Sequence, residues 1–233
     1  MLEARLLAAR GRRNVGRVLR RTETPADALV RRLAPGRSFV DVGALWQIHG
    51  RIAFLAEEAA ASAVTAVDIT GETEPYRAEH ERRGSKVRFV QGDLHDQAVL
   101  EDIGVHDVVW CSGVLYHCPN PVHSLECLRR ITRETLVLRN ATVPEVAAAD
   151  QAGVFFPGLP ERARRAYDRA YTAVGGEATR VGLTTPFDPA QGYANWWWGL
   201  TPSALAGMLA ATGFAVEETA TNGFDTRVVA SAV

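Results

Sequence analysis

Three aspartates stand at the carboxyl ends of three short β-branched runs: Asp41 in "SFVDV", Asp68 in "AVTAVDI" and Asp93 just after "KVRFVQ". Ligands of open α/β sheets bind at such strand ends. Gly43 follows the first run and lets the backbone turn close to a ligand. Asp68, 25 residues after Gly43, has the place and spacing of an acidic residue that accepts hydrogen bonds from ribose hydroxyls, with Ile69 beside it. A strand-end aspartate serves equally as a helix cap or turn residue. Asp93 is placed to accept from an exocyclic amine, and Gly92 and Leu94 leave room for a flat ring alongside. The next glycine after Gly43 is Gly50, and "ALWQIH" fills the interval. A pyrophosphate needs a tight glycine turn feeding a helix N-terminus. A longer loop containing Trp46 and His49 suits instead a ligand without phosphates.

The elements that must carry these residues alternate in period. Strands are expected at 38–42, 63–69, 86–91, 106–111 and 135–140, with helices at 48–60, 75–83, 96–103 and 121–130 between them. The last helix is well signalled, because Asn120 can cap it and Pro121 fits its first position. Such alternation means right-handed crossovers and a mostly parallel sheet covered on both faces. After residue 140 the rhythm changes to an insertion, 141–200, with an amphipathic helix "PERARRAYDRAYTAV" and the aromatic run "NWWWG". Regular structure resumes at "TPSALAGMLAATG", capped by Thr201 and ended by Gly213. Two final strands joined through Asn222 and Gly223 form an antiparallel hairpin.

Together Asp41, Gly43, Asp68 and Asp93, with "HDVVWCSGVLYHCPNP", resemble the ordered motifs of the class I S-adenosylmethionine-dependent methyltransferases over about residues 36–140 and 201–233. The resemblance implies S-adenosyl-L-methionine as cofactor and an α/β, Rossmann-like, mostly parallel seven-stranded sheet with an antiparallel C-terminal hairpin. Helices lie on both faces, and the helical and aromatic insertion follows the fifth strand. A helical segment, 1–35, precedes the core; 36–140 binds the cofactor, 141–200 caps the acceptor site, and 201–233 completes the core. Position by position, the resemblance puts Gly43 near the methionine moiety and Asp68 at the ribose. It puts Asp93 and Leu94 at the adenine, and Cys111 and Ser112 on the methionine side near the acceptor. Only Asp41, Gly43 and Gly50 match a D-x-G-x-G-x-G pattern, so Trp46 to His49 become candidates for covering the cofactor. "SGVLYHCPNP" and "NWWWGLTPSALAGML" are also similar to segments of the tRNA wobble-uridine carboxymethyltransferase family.

Methyl transfer from a sulfonium is an in-line displacement that requires donor and nucleophile to be held together away from water. A hydroxyl acceptor gains from a base. His117 is the first candidate, with Tyr116 beside it; His49 is second and Glu145 third. The alternative is that His117 only hydrogen-bonds locally, since a nitrogen or carbon acceptor needs no such base. Trp196, Trp197 and Trp198, with Tyr116 and Glu145, are candidates for the acceptor wall. Three consecutive indoles cannot all point into one core; packing of the insertion on the sheet is the competing explanation.

Composition excludes several classes. The chain has 233 residues, 47% hydrophobic and 23% charged, enough for one substantial core. No apolar run can span a bilayer, and arginines interrupt the first twenty residues, against a membrane span or secretory signal. Cys111, Cys118 and Cys127 match no zinc or disulfide spacing, so no metal is expected; they read as small core residues of a cytoplasmic protein. Net charge is −1, yet residues 1–40 hold ten arginines against Glu3, Glu23 and Asp27. That imbalance either meets an anionic partner such as tRNA or is a solvated helix face. The near-neutral whole favours a small-molecule acceptor over nucleic acid. The alternatives are a nucleotide-sugar or dinucleotide oxidoreductase, against which the missing GxGxxG and the terminal hairpin argue, and a non-catalytic partner subunit, which intact Asp68 and Asp93 disfavour. The oligomeric state is not specified.

Overall fold

A computed structural model describes residues 23–174, 183 and 185–233. The capping signals of the sequence set the helix starts. Helix α1 (Pro25–Leu33) begins at a capping box between Thr24 and Asp27. Strand β1 (Ser38–Val42) leads through a loop to α2 (Arg51–Glu58), then β2 (Ala63–Asp68), α3 (Glu74–Arg83), β3 (Arg88–Gln91), α4 (Gln97–Ile103) and β4 (His106–Ser112). A 3-10 turn, Leu115–His117, precedes α5 (Pro121–Ile131), where Asn120 accepts from the His123 amide as its sequence position predicts. Strand β5 (Thr132–Ala141) follows directly.

The sheet order is β3-β2-β1-β4-β5-β9-β8, with β8 (Phe214–Thr221) and β9 (Asp225–Ala232) forming the predicted hairpin. Strands β1 to β5 pair in parallel, and β9 runs antiparallel to both β5 and β8. The chain winds from β1 to β3 on one side and then crosses to β4, so the β1/β4 junction is the switch point where a ligand crevice opens. Register aligns the edge: Val42 pairs with Val67 and Cys111, Asp68 with Gln91, and Ser112 with Arg139. Gly43, Asp68, Gly92 and Gly113 therefore leave the sheet at one rim.

Alternation along each strand feeds two cores, which is why these strands read as nearly continuous apolar runs. One face carries Val40, Val42, Val109 and Leu138 against Leu100, Leu125 and Leu205. The other carries Phe39, Val108, Trp110 and Val137 against Val30, Ile52 and Phe54. Helix α7 (Pro202–Ala211) is capped by Thr201 as expected.

The structure departs most from the sequence expectation at two places. The helix after β1 starts at Arg51 rather than Ile48, because Gln47, His49 and Gly50 have φ of 57°, 45° and 78°, which no α-helix contains. The insertion has its expected helix, α6 (Glu161–Ala173), but also an unforeseen strand pair, β6 (Gly153–Phe155) with β7 (Trp198–Leu200). It forms a third apolar cluster of Tyr116, Val143, Phe156, Tyr171, Leu183 and Trp196. Of the ten N-terminal arginines, seven fall in 1–22, outside the described residues. The other three are paired: Arg31 with Glu23 and Glu58, Arg32 with Glu218, Arg37 with Glu134. Among the described residues no helix is long and apolar enough to cross a membrane.

Candidate active site

The loop after β1 is closed on itself and on β2. Gly43 and Ala44 both donate to the Val67 carbonyl, at 2.9 and 3.1 Å, and Gly50 donates to Ala44. Gly43 has φ of 77°, and a Cβ there would lie 2.5 Å from Val114 Cγ2, so only glycine allows the β1 and β4 loops to touch. A Cβ on Gly50 would lie 2.5 Å from the Tyr76 ring, which makes this second glycine a packing requirement of α2 on α3. Trp46 is 66% exposed, and His49 pairs through Nδ1 with Thr73 Oγ1 at 3.2 Å.

Asp68 accepts at both oxygens. The Leu45 amide donates to Oδ2 at 2.8 Å, and the Thr70 amide and hydroxyl donate to Oδ1 at 3.0 and 2.8 Å. A carboxylate offers about four acceptor positions, so three are filled and the neighbouring Ile69 stands half exposed. Asp41 lies beneath the loop rather than in the crevice: it is 1% exposed, Oδ2 has no partner, and burial pushes its pKa up to about 7 although the Ala53 amide donates to it.

At the end of β3, Asp93 Oδ1 accepts from the His95 amide at 2.9 Å and faces His95 Nδ1 at 3.0 Å. Asp93 Oδ2 accepts from the hydroxyl of Tyr193 at 2.7 Å, a partner 100 residues away. His95 Nε2 meets Ser124 Oγ at 2.7 Å on α5. Gly92 and Leu94 stand at the same rim with their side-chain positions turned to the core. A Cβ on Gly92 would overlap Val99, and Leu94 is buried in the core.

The rim of β4 holds the acceptor-side candidates. The Cys111 side chain is buried in the core, as are Cys118 and Cys127, so only its backbone reaches the site. Ser112 is partly exposed. The Tyr116 amide donates to Asn140 Oδ1 at 3.1 Å, and a Cβ built on Gly113 would lie 3.5 Å from the Tyr116 hydroxyl. Burial pushes the Tyr116 phenol well above its ordinary value, which leaves it a donor at neutral pH. His117 Nδ1 stands 2.8 Å from the Asn195 carbonyl. A carbonyl only accepts, so Nδ1 carries the proton and Nε2 holds the lone pair of the neutral ring. Burial holds the His117 pKa below the usual histidine value.

The insertion supplies the other side. Its segment 188–198 crosses the strand ends: Tyr193 on Asp93, Asn195 on His117, the Trp197 amide on the Tyr116 carbonyl at 2.9 Å, and Trp198 Nε1 on the Pro119 carbonyl at 3.0 Å. Trp196 is buried, its ring 4.6 Å from Tyr116 and 5.5 Å from Phe156, while Trp197 and Trp198 are half-buried. The indoles divide as three consecutive residues must. Glu145 caps α7 instead, accepting from the Ser203 amide and hydroxyl at 2.7 Å each. Sequence reasoning missed Tyr193, His95, Asn195 and Asn140. His95 sits two residues from Asp93 and was within reach of a local reading, but no spacing signal joins Tyr193 to Asp93. Among the described residues no group of three or more His, Cys, Asp or Glu could hold a metal ion.

The residues at this rim fit S-adenosylmethionine. A Cβ would fill the cradle at Gly43, one acceptor position remains on Asp68, and Asp93 already takes an O–H donor.

Residues 40–137 match the family described as a methyltransferase domain. No curated protein matches the sequence. Among solved structures, the chain is similar to magnesium protoporphyrin IX methyltransferase from Synechocystis PCC 6803 with bound S-adenosylhomocysteine, at 17% identity and TM-score 0.55, covering 89% of this chain and 82% of that one. It is similar to 1,6-didemethyltoxoflavin-N1-methyltransferase from Burkholderia thailandensis at 16% identity and TM-score 0.58, covering 100% and 87%. The pyocyanin biosynthetic protein PhzM matches at 19% identity and TM-score 0.57, covering 89% of this chain and 54% of its own. These likenesses show the fold, and the matched domain spans the four strand ends described above. Residues 40–137 thus carry a methyltransferase domain, set in a fold shared with methyltransferases solved with bound S-adenosylhomocysteine.

Proposed function

We propose that the chain transfers a methyl group to a hydroxyl of a small molecule, a sugar or secondary metabolite, held between the strand ends and the insertion 141–200. S-Adenosylmethionine supplies the methyl on a sulfonium, which the acceptor oxygen displaces in line while losing its proton. The observation that carries the reading is His117: its Nδ1 proton is fixed on the Asn195 carbonyl, so Nε2 is the basic nitrogen. Tyr116, whose backbone amide is held by Asn140 Oδ1 and whose ring packs beside His117, is a donor that can orient an acceptor oxygen. Asp68 and Ile69 would hold the ribose and Asp93 the adenine amine. Trp197 and Trp198 would exclude water from the acceptor. The small-molecule substrates named for the toxoflavin and protoporphyrin methyltransferases support this class of acceptor. The paired state of Arg31, Arg32 and Arg37 counts against phosphate binding by that part of the N-terminal segment.

Two measurements test it. Calorimetry should give S-adenosylmethionine and S-adenosylhomocysteine binding and no NAD binding. With radiolabelled S-adenosylmethionine and a panel of hydroxylated small molecules, His117→Asn should lower kcat by roughly 10²- to 10⁴-fold with unchanged cofactor affinity. Because burial holds His117 below the usual range, the acid limb of kcat/KM should fall below pH 6.5, activity being lost as pH drops and the ring gains a proton. An unchanged kcat in His117→Asn would point to a nitrogen or carbon acceptor.

A further inference from the structure

The insertion reaches the cofactor side of the rim as well as the acceptor side, and it does so through one hydroxyl. Asp93 is anchored from below: the His95 amide and ring meet Oδ1, and His95 is held in turn by Ser124 Oγ, buried in α5. Its Oδ2 takes the Tyr193 O–H at 2.7 Å, and the same hydroxyl oxygen stands 2.8 Å from His95 Nδ1. Burial, with the hydrogen bond to Asp93 adding to it, pushes the Tyr193 phenol far above its ordinary value, so it remains a donor. The Asp93 oxygen not met by His95 is thus occupied by a residue of the insertion.

The turn that carries Tyr193 is light. Residues 188–192 and 194 are exposed, and the turn is held by Asn195, whose Nδ2 donates to the Asp188 and Gly192 carbonyls at 2.7 and 3.1 Å while Oδ1 accepts from the Asp188 amide at 3.1 Å. The same Asn195 offers its carbonyl to His117. One short turn therefore joins the end of β3 to the candidate base.

We infer that Tyr193 is a positioning residue that competes with the exocyclic amine of adenine for Asp93, so that cofactor binding exchanges one donor for the other and frees the 188–195 turn. The inference rests on the reading of Asp93 as the adenine acceptor. Removing the hydroxyl then removes the competitor, and the cofactor binds tighter. A merely structural tyrosine would give the opposite sign, because losing a hydrogen bond from a packed turn loosens a site.

The test is calorimetry of Tyr193→Phe with two probes, S-adenosylhomocysteine and S-inosylhomocysteine, in which a carbonyl replaces the exocyclic amine. S-Adenosylhomocysteine should bind Tyr193→Phe roughly 3- to 30-fold tighter than the unaltered chain, within the range of one hydrogen bond to a charged group, and tighter than S-inosylhomocysteine binds the same variant. Equal or weaker S-adenosylhomocysteine binding in Tyr193→Phe, with S-inosylhomocysteine weaker still, overturns the competition alone. Equal binding of both probes to the variant overturns the reading of Asp93. A second measurement needs no variant: saturating S-adenosylhomocysteine should speed hydrogen exchange at the Ala190, Gln191 and Asn195 amides of the unaltered chain, and slower or unchanged exchange also overturns the inference.

Discussion

The backbone amide of Leu45 donates to Asp68 Oδ2 at 2.8 Å and fastens the loop after β1 to the end of β2. The carboxylate placed to hold a ribose is also the clasp of the loop that would lie over the methionine moiety. For both ribose hydroxyls to be gripped, the Leu45 amide must share or yield its oxygen. Asp68→Ala should accordingly do two things at once. It should cost about 1–3 kcal/mol of stability by leaving the Leu45 and Thr70 donors unpaired, and weaken S-adenosylhomocysteine by at least tenfold through lost charge-assisted bonds. Thermal melts and calorimetry read the two separately, and unchanged ligand affinity would remove Asp68 from the cofactor site.

Asp41 makes stability depend on pH in an unusual direction. Burial raises its pKa to about 7, well above the ordinary 3.8, with the Asp68 charge adding to the rise. A group whose folded pKa is raised binds its proton more tightly in the folded state. Its contribution is full below pH 3.8 and is lost as pH climbs toward 7. Asp41→Asn stays neutral and can still accept from the Ala53 amide. Its stability relative to the parent should therefore improve between pH 5 and pH 8, by up to a few kcal/mol on the order of the shift. Urea midpoints of both proteins at the two pH values decide it, and a constant difference would mean that Asp41 is already ionised at pH 5.

Period and punctuation carried the fold: the β-branched runs, the Asn120-Pro121 and Thr201-Pro202 helix starts and the Asn222-Gly223 hairpin all stand where the sequence puts them. What failed was local in one place and distant in the others. Helix α2 begins late because Gln47 and His49 take left-handed backbone, a state that neither residue type announces. The β6/β7 pair was hidden because Phe155 and Trp198 lie 43 residues apart and each strand has only three residues. The candidate site was legible where the chain order of strands dictates it, at Gly43, Asp68 and Asp93. It was illegible where the insertion returns to it, since the Tyr193–Asp93 and Asn195–His117 contacts depend on tertiary packing. Gly92 and Leu94 also meet the core, for small and apolar residues at a rim serve packing as readily as a ligand.

Trp197 separates acceptor from cofactor. Its ring lies 4.9 Å from Phe187 and 6.3 Å from Phe155, its Nε1 donates to the Gly192 carbonyl at 3.4 Å, and its amide is bonded to the Tyr116 carbonyl. Trp197→Ala keeps the amide contact and removes a half-buried ring together with its long bond to Gly192, at a stability cost of about 1–3 kcal/mol, below that of a fully buried indole. Acceptor turnover should fall far more than S-adenosylhomocysteine affinity. Parallel losses in both would give the ring a purely structural part.

Trp46 answers the question raised by the long loop after Gly43. Had it anchored the loop to the core, its removal would lower the melting temperature and weaken every ligand alike. The indole is instead 66% exposed, on a loop held by Leu45 at Asp68 and by His49 at Thr73, neither of which needs the Trp46 side chain. Trp46→Ala should then leave stability within about 0.5 kcal/mol, as surface substitutions do. An aromatic face close to a sulfonium gains about 0.5–2 kcal/mol of cation–π attraction, which the neutral thioether product lacks. The variant should thus lose roughly 2- to 30-fold in affinity for S-adenosylmethionine by that range, and much less for S-adenosylhomocysteine. Titration of both ligands against this one variant checks it. Equal losses would mean that Trp46 contributes area but not charge recognition, and no loss in either would leave the indole outside the cofactor site altogether.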